Sequence, residues 1–157
     1  MSDGVLEFIA AETAALTRLV PVPTGELGYG RDLSCVTDIT ETLEEVDPFS
    51  VQGLGEALLR RLITPRGSLP DDADYGIDIR GYCNRALTRQ DLLALEGEIR
   101  AELAKDDRVA QVQPTVTWAS PSLNVKVMVE PAIPGMRPFA LTLAAENGAV
   151  LLAEVSR

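Results

Sequence analysis

The chain contains no histidine. That absence removes the commonest general base, the commonest metal ligand and every Ser-His or Cys-His nucleophile pair. Carboxylates, Lys and Tyr remain as catalytic material. Cysteine is scarce as well: Cys35 and Cys83 lack the spacing and company of a metal site, and two reduced, partly buried thiols are expected rather than a disulfide. Cations are in the minority, with 14 Lys and Arg against 24 Asp and Glu and a net charge of -10. Phosphate contacts need clustered Lys and Arg, so no nucleic-acid partner is expected. No window approaches the roughly 20 apolar residues of a membrane span, and the opening MSDGVLEF lacks the basic start of a secretory signal. Synthesis in the cytoplasm and no membrane partner are the expectations.

What is present suffices for one core. Of 157 residues, 46% are hydrophobic, enough for a single principal domain. Residues 2–19 space Leu6, Ile9, Ala10, Thr13 and Leu16 as an amphipathic helix, and VPVPTGELGYG, residues 20–30, cannot be regular helix. Residues 1–27 therefore read as an N-terminal helix and Pro-Gly arm, and 28–157 as the principal domain. A short strand is expected near 33–37. Asp47-Pro48 or Ser50 can cap a helix in which Val51, Leu54, Leu58 and Leu62 recur, and Pro65 stops it at Thr64. A second helix starts at Thr88 with Asp91 three residues on and buries Leu92, Leu95, Ile99 and Leu103. The period then changes to two. Val112, Pro114, Val116 and Trp118, then Leu123, Val125, Val127 and Val129, predict two antiparallel strands joined at Ala119–Ser122. PFALTLAAE and AVLLAEV flank Asn147-Gly148, a strong hairpin signal. The expected fold class is α+β, with helices packed on a C-terminal antiparallel sheet.

The connection RRLITPRGSLPDDADYGIDI, residues 60–79, carries the most specific local chemistry. Pro65 fixes its own φ and Gly67 permits a turn that a side chain forbids, so Arg66 sits on a short stalk. A guanidinium held there can take a carboxylate or carbonyl of another chain, or it can pair internally with Asp71, Asp72 or Asp74; the sequence supports both. Tyr75 should pack on the core while Gly76 makes the turn, and Asp78 can cap the next turn of the chain. Arg60 and Arg61 read as a solvated helix face, and Glu41, Glu44, Glu45 and Asp47 as solvent-facing acids without the spacing of a calcium loop. Glycoside hydrolysis would need two carboxylates across a cleft, one in an apolar pocket. Glu7, Glu12, Glu96, Glu98 and Glu102 are expected on polar helix faces, and aromatics make up 4% of the chain, too little to line a sugar site.

An apolar helix followed by Thr64-Pro65-Arg66-Gly67, then Asp74-Tyr75-Gly76, the Thr88-capped helix, Asp106-Asp107-Arg108-Val109 and terminal strands resembles the baseplate wedge and sheath-initiator family of contractile tails. These are the small lysozyme-like baseplate proteins of myophages and contractile injection systems. The resemblance runs from about residue 28 to 155. It implies a lysozyme-like baseplate wedge fold in a virion tail or injection-system baseplate, and a structural protein without enzymatic activity or cofactor. The implied partners are other baseplate wedge proteins, the tail sheath protein and the central hub and tube proteins, in a six-fold assembly. Thr64, Pro65, Arg66, Gly67, Tyr75, Gly76 and Asp78 become the candidate docking residues. Ala149, Leu151, Ala153 and Val155 belong to a terminal strand that is apolar on both faces and suited to pairing with an incoming sheath strand. One relative of this fold is an anti-adaptor of a stress response, so a small cytoplasmic adaptor is the alternative; a carboxylate-based glycoside hydrolase ranks last.

Overall fold

The computed structural model describes residues 32–34, 45–83, 85–119 and 121–146, and the backbone of 149–156. They belong to one compact unit, Arg31–Arg157. The helix and arm expected over 1–27, Cys35, Glu41, Glu44 and the Asn147-Gly148 turn lie outside the described residues. Element order is β1 (Asp32–Leu33), β2 (Glu45–Val46), α1 (Val51–Ile63), a 3-10 turn (Ile79–Tyr82), α2 (Arg89–Leu103), β3 (Val109–Ala119), β4 (Ser122–Pro131), β5 (Phe139–Glu146) and β6 (Ala149–Ser156). β1 pairs with β2, and the remaining strands form an antiparallel sheet in the order β3-β4-β5-β6. The fold is α+β.

Each helix begins where local chemistry satisfies its first amides. The Ser50 hydroxyl accepts from the Gly53 amide and starts α1. Thr88 and Asp91 form a reciprocal capping box on α2, each side chain accepting from the other residue's amide. α1 ends at Ile63, with Thr64 extended ahead of Pro65. Of the strand expected near 33–37, Leu33 lies in β1, Ser34 does not, and residues 35–37 lie outside the described residues; Asp32–Leu33 pairs with Glu45–Val46.

The core lies between the two helices and one face of the sheet. Leu54, Leu58 and Leu62 of α1 and Leu95, Ile99 and Leu103 of α2 meet Val112, Val116, Val125, Val127, Leu141 and Leu143. Strict alternation places Lys126, Met128 and Glu130 on the exposed face of β4. Trp118 and Leu92, expected in the core, are partly buried and pack against its rim. Cys83 is a buried thiol. Between α2 and β3, Asp106 and Arg108 form a buried two-pronged ion pair at 2.9 and 2.7 Å, and Arg108 also donates to the Pro48 carbonyl at 2.9 Å. That contact ties the entry of β3 to the loop that starts α1.

Candidate docking loop and its buried carboxylate

The residues after α1 fold back to close the end of that helix. Its last carbonyls have no partners within the helix, and the loop supplies several. Thr64 donates its amide and hydroxyl to Arg60 O at 3.0 and 2.7 Å. The Ile77 amide reaches Arg61 O, and the Asp78 amide reaches Thr64 O, both at 3.2 Å. The Arg80 guanidinium donates to Ile63 O at 2.7 Å. The Pro65 carbonyl accepts from the Ser68 amide and hydroxyl, closing the turn that contains Gly67.

Gly76 is required twice over. Its φ is +89°, and a Cβ there would stand 2.2 Å from the Thr64 carbonyl oxygen. The close approach brings the Gly76 amide to Glu102 Oε1 at 2.8 Å.

Glu102, in the last turn of α2, is 0% exposed. It was expected on a polar helix face, and the structure corrects this: Leu95, Ile99 and Glu102 stand at i, i+4 and i+7 on the core-facing side. Three cations converge on it. Arg61 donates to Oε1 at 3.3 Å, while Arg66 and Lys105 donate to Oε2 at 3.3 and 2.8 Å. Lys105 also bridges to the Asp74 carboxylate at 2.8 Å and to its carbonyl at 2.6 Å. Burial pushes the Glu102 carboxyl up, but hydrogen bonds from Lys105, the Gly76 amide and Arg61 outweigh it and hold the group below the ordinary carboxylate value. Asp74 is lowered by the Lys105 hydrogen bond and charge.

Arg66 makes internal contacts. Its Nε donates to the Gly76 carbonyl at 3.1 Å, Nη2 reaches Glu102, and Nη1 lies 3.6 Å from Asp74. The side chain nevertheless stays half exposed. Arg61 is not a solvated face residue: its guanidinium packs 4.5 Å over the half-buried Tyr75 ring and reaches Glu102. Arg60 pairs with Asp32. Asp78 makes no side-chain cap to the 3-10 turn. It adopts φ 47° and binds Arg80 at 2.7 Å instead.

Thr64, Pro65, Arg66, Gly67, Tyr75, Gly76 and Asp78 are thus parts of one closed loop. Glu102, Arg61, Lys105 and Arg80 complete it and were not singled out from the sequence as members. The second group of expected residues belongs to β6, where Ala149 registers with Glu146, Leu151 with Ala144 and Val155 with Leu141. Ala153 is the extra residue where the register shifts.

Among the described residues, no cluster of His, Cys, Asp or Glu could hold a metal ion, and no helix is long and apolar enough to cross a membrane. No family model matches the chain, and no curated protein matches it.

Proposed function

We propose that this chain is a structural, non-enzymatic protein of a contractile tail or injection system. It is built into the baseplate with other wedge proteins around the hub and starts sheath assembly by strand pairing. The observation that supports this reading best is the loop from Thr64 to Asp78. Its two ends are tied together by backbone hydrogen bonds from Ile77 and Asp78 to Arg61 and Thr64 and it is clasped by Glu102, yet Arg66 stays half exposed. Of the five guanidinium N–H groups, hydrogen bonds to Gly76 and Glu102 use two and Nη1 faces the exposed Asp74 at 3.6 Å, so donors remain that can meet a carboxylate or carbonyl of a neighbouring wedge protein. A pre-ordered donor loses little entropy when it docks.

Arg66→Ala tests this. Glu102 keeps Lys105, Arg61 and the Gly76 amide, so the isolated variant should melt cooperatively. Removing one partner of an interfacial charge pair costs about 2–5 kcal/mol, so the variant should fail to co-purify with wedge partners co-expressed from the same system. Normal co-purification would leave Arg66 with a purely internal role and favour the adaptor reading.

A further inference from the structure

The four-stranded sheet has two edges, β3 and β6. The geometry points to a difference between them: the β3 edge is closed to strand addition, and Glu96 is the side chain that closes it. The Val116 amide donates to Glu96 Oε1 of α2 at 2.8 Å. In an antiparallel pair, the N–H and C=O of successive residues alternate between facing the partner strand and facing away. Val116 registers with Val125 of β4, so an amide given to α2 faces away from β4. Val112, Pro114 and Trp118 share that outward phase.

Pro114 therefore sits where a missing N–H costs the β3–β4 ladder nothing, and where an incoming strand finds no donor. Nearer the start of β3 the register shifts between Val109 and Gln111, which makes Ala110 a bulge. Between that bulge and Val116, only Val112 presents an outward donor, too little to template a ladder. Proline, a bulge and a charged side chain are established means of blunting a strand edge. Here the proline and the bulge lie in β3 and the charge is brought to the same edge by α2. A carboxylate suits the task, since it takes the amide itself and sets against any approaching strand a charge that resists desolvation. One turn and two turns beyond Glu96, Arg100 and Ala104 flank the same edge, and with residues 110–115 they line an open groove of about 580 Å³.

The consequence is that two copies of this chain cannot join through β3. If the strand-pairing role proposed for β6 holds, a partner strand must enter along β6, but closure of β3 does not depend on that role. Amide exchange on the full chain tests the contact. In Glu96→Ala the Val116 amide should lose protection at least tenfold, while Thr115 and Thr117, which face β4, keep theirs; Glu96→Gln, which retains an acceptor, should preserve it. Unchanged exchange at Val116 in Glu96→Ala would overturn the assignment. Closure itself is read by disulfide trapping through Thr117→Cys under mild oxidation, with Cys35→Ala and Cys83→Ala in every variant so that residue 117 carries the only thiol. Linked dimers are expected when Glu96→Ala and Pro114→Val are added, and none with Thr117→Cys alone. If the triple variant is unfolded by circular dichroism, Glu96→Ala with Thr117→Cys replaces it. Dimers from Thr117→Cys alone, or none from a folded opened variant, would overturn the proposal.

Discussion

Glu102 holds the inter-helix loop in place, and its ionisation carries a definite pH signature. Its carboxyl, with those of Asp74 and Asp106, lies below the ordinary carboxylate value in the folded protein. As pH falls, the unfolded chain takes up these protons first. The stabilisation is therefore full above the unfolded values near about 4 and is lost as pH drops through the lower folded values. Urea unfolding across pH 2–7 should show stability level at the upper end and falling below about 4, with a shallower fall in Glu102→Gln; an unchanged slope in that variant would remove Glu102 from the effect. Gly76 permits a sharper comparison. Gly76→Ala meets both a positive φ and the Thr64 backbone, so it should cost about 3 kcal/mol or more, beyond the strain of a positive φ alone. Gly67→Ala has φ +79° but open space around its Cβ, so about 1–2 kcal/mol is expected. Equal melting temperatures for the two would refute the close approach. The glycines could be singled out because a turn between two helical patterns advertises itself locally. Glu102 could not. Its spacing from Leu95 and Ile99 is that of a core position, but its polarity points to solvent. Of the three cations that make burial tolerable, Lys105 stands only three residues on, a spacing equally common on a solvated face, while Arg61 and Arg66 come from 41 and 36 residues away, which no local pattern encodes.

At the scale of elements, what was readable is what short-range chemistry controls. Ser50, Thr88 and Pro65 mark helix ends through contacts within three or four residues. The alternation in β3 and β4 reports directly which side faces the core. β1 and β2 span two residues each, too short to show any period; of the strand expected over 33–37, Leu33 lies in β1 and 35–37 lie outside the described residues. The left-handed Asp78 was equally hidden, because the Arg80 side chain that holds it also reaches back to Ile63. The helix register itself can be tested through Ile99, which is 0% exposed among residues of both helices and the sheet. Ile99→Ala should destabilise the protein by about 2–5 kcal/mol. Leu93→Ala, on the same helix but 58% exposed, should change stability by less than about 0.5 kcal/mol. Chemical denaturation of the pair checks both the register and the face of α2 that meets the sheet.

For the whole molecule, the two hairpins were legible, but the inequality of the sheet's edges was not, since it depends on a Glu96 contact across 20 residues. The ladder phase fixed by Val116 carries across the sheet. Val125 faces away from Val116 and toward β5, where it registers with Leu143. Leu143 therefore faces β4, and its partner on β6, Leu152, turns its amide away from β5. Leu151 registers with Ala144 in the opposite phase, so its amide belongs to the β5–β6 ladder. Proline can thus be used to separate two effects on the same strand. Leu151→Pro removes a ladder bond and should weaken the hairpin itself, lowering the melting temperature. Leu152→Pro leaves that bond intact and removes an outward donor, so the monomer should melt within a few degrees of the parent. Under the proposed role in sheath initiation, tails carrying Leu152→Pro should assemble baseplates and tubes but recruit little sheath, because the incoming strand loses a rung at its centre. Electron microscopy of such tails provides the measurement. Full-length sheaths on Leu152→Pro particles would sink strand addition along β6, whereas loss of the baseplates themselves would place this strand in wedge assembly instead.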